Sequence, residues 1–110
     1  MAYQQVGNFK LNQQGGYVCR TEFVYLDGNG QLQQSSQTSN ELLGQSYTTD
    51  PGELGVPDGS ITWMKIWVML GTDNQASQAF TYTKGNNATA EYTCSGTTLS
   101  NHLGLDGVNG

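Results

Sequence analysis

Charge is scarce in this chain, and what there is leans one way. Four basic and nine acidic side chains among 110 residues give a net charge of −5 at neutral pH. A nucleic-acid binder needs a cationic footprint to displace counterions from phosphates. Lys10, Arg20, Lys65 and Lys84 are too few and too scattered to make one, so no nucleic-acid partner is expected. Docking on anionic lipid by charge attraction alone is disfavoured for the same reason. Histidine occurs once, as His102, and with no cysteine beside it a zinc site lacks ligands. No serine sits in a Gly-x-Ser-x-Gly elbow and no phosphate loop is present.

Other absences narrow the field further. The longest apolar run, Trp63 to Leu70, is broken by Lys65 and is far too short to span a bilayer. The first residues, Met-Ala-Tyr-Gln-Gln, lack the basic and then apolar segments of a secretory signal, which leaves the compartment open. Helix signals are nearly missing: Ser39-Asn40-Glu41-Leu42-Leu43, ending at Gly44, offers at most one helical turn over residues 39–44. Glu22, Glu91, Asp50, Glu53 and Asp58 contain the carboxylates that glycoside hydrolysis would require. A single domain of residues 1–110 leaves little room for a deep cleft, however, so no catalytic residue is assigned and the chain is read as non-enzymatic.

In place of charge there are Gln, Asn, Ser, Thr and 15 glycines, a polar surface that suits an extracellular or cell-surface protein. Strand signals are plentiful. Tyr17 to Leu26 is rich in β-branched and aromatic residues and stops at Asp27-Gly28-Asn29-Gly30, a hairpin turn with Gln31 to Thr38 returning. Val56-Pro57-Asp58-Gly59 launches Ile61 to Leu70, and Gly71-Thr72-Asp73-Asn74 closes it. Gln78 to Lys84 and Ala88 to Cys94 are expected to pair around Gly85-Asn86-Asn87, with Gln5 to Leu11 and Thr97 to Leu103 as outer strands. Six to eight short strands with turns about every ten residues predict an all-β fold, an antiparallel, jelly-roll-like β-sandwich. Residues 44–60 read as a long loop.

Strand faces locate a core and a candidate site. Along Ile61 to Leu70, one face carries Met64, Ile66, Val68 and Leu70 and reads as core. The other carries Trp63, Lys65 and Trp67, and burying an unpaired ammonium there would be costly. Two indoles flanking a lysine could stack on sugar rings, with Lys65 donating to hydroxyls and Asp50 and Asp58 of the polar loop at the rim. The same face could instead be covered by the loop or by a second copy of the chain.

Cys19 and Cys94 both alternate with the apolar set and point inward, where they could bridge two sheets or remain free thiols. Asp27-Gly28-Asn29-Gly30-Gln31 imitates the start of a calcium loop, but Thr38 stands where the bidentate glutamate is required. Turn chemistry explains those residues, so no metal site or other cofactor is expected, calcium being the one ion their oxygens could take. The leading expectation is a carbohydrate-binding, lectin-like module acting on glycans or glycoconjugates, multivalent as a homo-oligomer. The alternatives are a membrane-active β-protein, with exposed aromatics at the lipid interface, and a self-assembling structural or adhesion subunit.

Overall fold

The computed structural model describes residues 3–110. Ten strands follow one another: β1 (Gln5–Val6), β2 (Asn8–Gln13), β3 (Cys19–Leu26), β4 (Leu32–Gln34), β5 (Ser46–Thr49), β6 (Ile61–Val68), β7 (Asn74–Gln75), β8 (Phe80–Tyr82), β9 (Thr89–Gly96) and β10 (Asn101–Asn109). They form two sheets, one ordered β1-β8-β6-β3-β4 with β7 also on β6, the other β10-β9-β2-β5. The fold is all-β, as the turn-rich, alternating sequence predicts.

Its sheets are mixed rather than purely antiparallel. β1 runs parallel to β8 and β2 runs parallel to β9, pairings that a jelly roll of antiparallel strands does not contain. The expected hairpin of β8 with β9 is absent. β8 pairs with β6 and β1, while β9 pairs with β10 and β2, so the chain crosses between sheets over residues 83–88. The N-terminal segment makes the matching crossing, β1 lying parallel beside β8 in one sheet and β2 parallel beside β9 in the other.

Local departures also have identifiable causes. The stretch read as a loop contains β5, which pairs with β2 from Phe9 opposite Thr49 to Asn12 opposite Ser46. No helix forms over 39–44, where Glu41 makes a two-way backbone bridge to Cys19. The helical turn lies at Pro51–Leu54 instead, with Pro51 in its first turn and the Asp50 carboxylate accepting from Gly52 N–H; proline's fixed φ suits that position. Gln31 to Thr38 contributes only the three residues of β4, in keeping with its few apolar side chains.

Both sheets send side chains into one core. Phe9 of β2 meets Phe23 of β3 at 4.9 Å between ring centroids and Phe80 of β8 at 6.0 Å, and it stacks on Tyr92 of β9. Met64, Ile66 and Val68 are buried among them as expected. Leu70 is not: it is 92% exposed, because β6 ends at Val68 and a turn begins. Cys19 and Cys94 face inward from opposite sheets, 4.3 Å apart, as free thiols with no disulfide between them. Their shared hydrogen bond, together with burial, pushes the Cys19 thiol up from its ordinary range.

Candidate functional site

The predicted platform lies on the outward side of β6. Trp63, Lys65 and Trp67 are all partly buried there. Antiparallel pairing sets Glu22 opposite Lys65 and Arg20 opposite Trp67. Lys65 Nζ lies 3.8 Å from the Glu22 carboxylate, so the ammonium has a partner and need not seek solvent. Arg20 lies over the Trp67 ring, 4.8 Å from its centroid, and its guanidinium also donates to Asn40 at 2.9 Å. A guanidinium on an indole face is a cation–π contact, and it occupies the surface that a sugar ring would use.

Asp50 and Asp58 are placed elsewhere. Both attend Tyr82, whose inward ring closes the core near the start of β6. Asp50 accepts a short hydrogen bond from the Tyr82 hydroxyl, and Asp58 accepts from Lys84 N–H at 2.9 Å. Burial, then the two carboxylates, push the Tyr82 hydroxyl up to about 12. The structure thus brings Trp63, Lys65 and Trp67 together along one strand, and Asp50 with Asp58 around Tyr82. Among the described residues no three His, Cys, Asp or Glu side chains gather as a metal-binding group, and no pocket opens.

A different surface emerges at the end of the molecule where β2, β6 and β9 finish and β3 and β10 begin. Four connections converge there: residues 14–18, 41–45, 69–72 and 96–100. Backbone hydrogen bonds tie each to its surroundings. Gly16 N–H donates to Gly96 O, Gly44 N–H to Gln13 O, Met69 N–H to Val18 O, and Thr72 N–H to Thr98 O. The Asn101 side chain adds a bond to Thr72 O at 2.6 Å.

These connections hold out leucines. Leu70 is 92% exposed, Leu99 75%, Leu43 58% and Leu42 51%. They are four of the six large hydrophobic side chains exposed among the described residues, the others being Tyr3 and Leu32. The only charged residue in the four connections is Glu41, and it is 1% exposed. Arg20, Asp73 and His102 stand at the margin. A lone exposed leucine needs no explanation, but four on converging, uncharged loops concentrate apolar side chains at one end of the molecule, and exposed apolar surface gathered in one region is a mark of contact surfaces.

Leu70 adds strain to exposure. It occupies the third position of a turn closed by Gly71 N–H on Val68 O, with φ of +57°, and is the only non-glycine residue with positive φ among those described. That conformation suits glycine or asparagine and costs other residues about 1–2 kcal/mol. Strained backbone tends to collect at functional positions.

No protein-family model matches the chain, and no curated protein is similar to it in sequence. Among solved structures it resembles part of listeriolysin O (17% identity, TM-score 0.47, covering 94% of this chain and 22% of that one). It also resembles part of a Gram-negative toxin (14% identity, TM-score 0.49, 94% and 23%) and part of a structure described as a trapped toxin (16%, 0.45, 91% and 23%). The chain spans less than a quarter of each of those proteins. A likeness at this level carries no functional argument.

Sequence reasoning missed the leucine end for a specific reason. Leu70 continues the alternation of the β6 core face, and Leu42 and Leu43 sat in an expected helical turn. A usable signal was nonetheless present, since the leucines of Leu42-Leu43-Gly44, Leu70-Gly71 and Leu99-Ser100 all stand at turns.

Proposed function

We propose that the protein is a peripheral membrane-binding module that docks its leucine-bearing end into the lipid interface. One observation carries the reading: Leu42, Leu43, Leu70 and Leu99 project from converging loops whose sole charge is buried. Hydrophobic burial would drive docking, since headgroup attraction is disfavoured by a net charge of −5. Trp67 lies at the tip-proximal end of β6, one residue before the strand ends and the turn that carries Leu70 begins, and so sits back from the leucine tip by less than the roughly 10 Å that three extended residues would span. An indole at that depth suits the headgroup region.

Glycan binding is placed second. The Trp67 face is engaged by Arg20 and Lys65 is paired with Glu22, so a sugar would have to displace the first and compete for the second.

Co-sedimentation with phosphatidylcholine vesicles tests the proposal. The parent chain should pellet with the lipid, a Leu70→Asn/Leu99→Asn double variant should stay in solution while remaining folded, and soluble sugars should not compete. Equal pelleting of parent and folded variant, or no pelleting of the parent at high lipid, would refute the reading.

A further inference from the structure

Glu41 sits at the inner foot of the loop that presents Leu42 and Leu43. Its backbone is pinned to β3 in both directions: Glu41 N–H donates to Cys19 O at 2.7 Å and Cys19 N–H to Glu41 O at 3.2 Å. Immediately beyond, Leu42 N–H donates to the Tyr47 hydroxyl at 2.9 Å. The side chain turns inward and is 1% exposed. Its carboxylate accepts from the Thr21 hydroxyl at 2.7 Å.

Among the described residues no cation pairs with this carboxylate. The one ion pair among the described residues is Lys65 with Glu22, on the outer side of the sheet. From β3, the neighbouring titratable group is Cys19; from β9, it is Cys94. β2 offers Gln13, whose amide reaches the Glu41 carbonyl at 3.5 Å rather than its carboxylate. Between β2 and β3, Tyr17 lies against the cysteines. Arg20 points to the opposite face, towards Asn40, Gln37 and Trp67.

From this geometry we propose that Glu41 makes docking of the leucine end acid-strengthened, each docked molecule taking up a proton on that carboxyl. The inference rests on the membrane reading above. Lipid covering the loops removes the water that lies just beyond them, so an ionised, uncompensated carboxylate at their root opposes docking. The neutral acid carries no such cost.

Burial already holds the Glu41 carboxyl above its ordinary range, against the opposing effect of the Thr21 and Thr38 hydroxyls. Docking raises it further. Binding therefore strengthens as pH falls through the docked-state value and levels off below the undocked-state value. With one proton involved, the gain is at most about tenfold in partition coefficient per pH unit.

The experiment measures partition onto phosphatidylcholine vesicles from neutral to mildly acidic pH, in a His102→Asn background. The parent should bind more tightly as pH falls. Glu41→Gln should bind at every pH about as the parent does in acid. Thr21→Val, which removes the hydroxyl that stabilises the ionised form, should move the parent's transition to higher pH and serves if Glu41→Gln fails to fold. Parent binding without a pH slope, or a slope retained in Glu41→Gln, overturns the role of Glu41 while leaving the membrane reading intact. Absence of binding by the parent at any pH overturns both.

Discussion

Replacing Leu70 by glycine should improve the fold and impair the function, and the two effects have separate physical origins. Leu70 has φ of +57° in the turn after β6 and is 92% exposed. Glycine adopts that φ without the steric cost of about 1–2 kcal/mol that an L side chain bears. Against this stands glycine's greater loss of backbone freedom on folding, roughly 0.5–1 kcal/mol. Almost no packing is lost, since the side chain touches little. The net expectation is a gain of between zero and about 1.5 kcal/mol, or up to several degrees in melting temperature for a domain of this size. Leu70→Asn, which tolerates the same φ without the glycine entropy, should gain at least as much.

Lipid affinity should move the other way. Full burial of a leucine is worth about 1.5–3 kcal/mol, and nearly all of that side chain is available to lipid. Both variants should therefore lose about tenfold or more in vesicle partition. Thermal unfolding followed by circular dichroism supplies the first quantity and co-sedimentation the second. A fall in melting temperature would show that Leu70 packs within the fold. Unchanged partition in a stable variant would refute the assignment of this end as the lipid contact.

Three further outcomes follow from particular side chains. Tyr92 carries a buried hydroxyl without a hydrogen-bond partner, so Tyr92→Phe should raise stability by about 1 kcal/mol; a loss in denaturant melts would contradict that. Tyr82→Phe removes the donor to Asp50 and should cost about 1–3 kcal/mol, with faster hydrogen exchange at the Pro51–Leu54 turn as its local signature. Arg20→Ala should uncover Trp67, read as stronger quenching of tryptophan fluorescence by acrylamide; unchanged quenching would mean that the guanidinium does not shield the ring.

Much of the core was legible because alternation is a local property. In β6 and β9 every second side chain is buried, which places Met64, Ile66, Val68, Ala90, Tyr92 and Cys94 inside. The separation of β8 and β9 into different sheets was not legible. It depends on parallel pairing with β1 and β2, some eighty residues away in sequence, and a Gly-Asn-Asn turn reads the same whether the chain folds back or crosses over. Nor could the sequence show that Glu22 stands opposite Lys65 and Arg20 opposite Trp67. That cross-strand register converts an apparent platform into a paired, partly covered surface. The leucine end escaped notice because it exists only where loops from distant parts of the chain meet.

The arrangement of charge gives this end an orientation as well as an apolar surface. At the opposite end lie the Asp27–Gly30 turn and residues 50–59, carrying Asp27, Asp50, Glu53 and Asp58 against Lys84 alone. Three N–H donors, from Gln31, Gln33 and Asn29, hold the Asp27 carboxyl below the usual carboxylate range. An anionic membrane surface would therefore repel that end, while the proposed docking end would meet the interface without exposed charge in its loops. Backbone hydrogen bonds join three of those loops to one another and tie the fourth to β2 and β3, so the leucines are held out before any contact is made and the proposed docking would sacrifice little conformational freedom. On the proposed membrane reading, an upright pose with the acidic end furthest from lipid would follow from the two ends together. It requires neither a pocket nor a cationic patch.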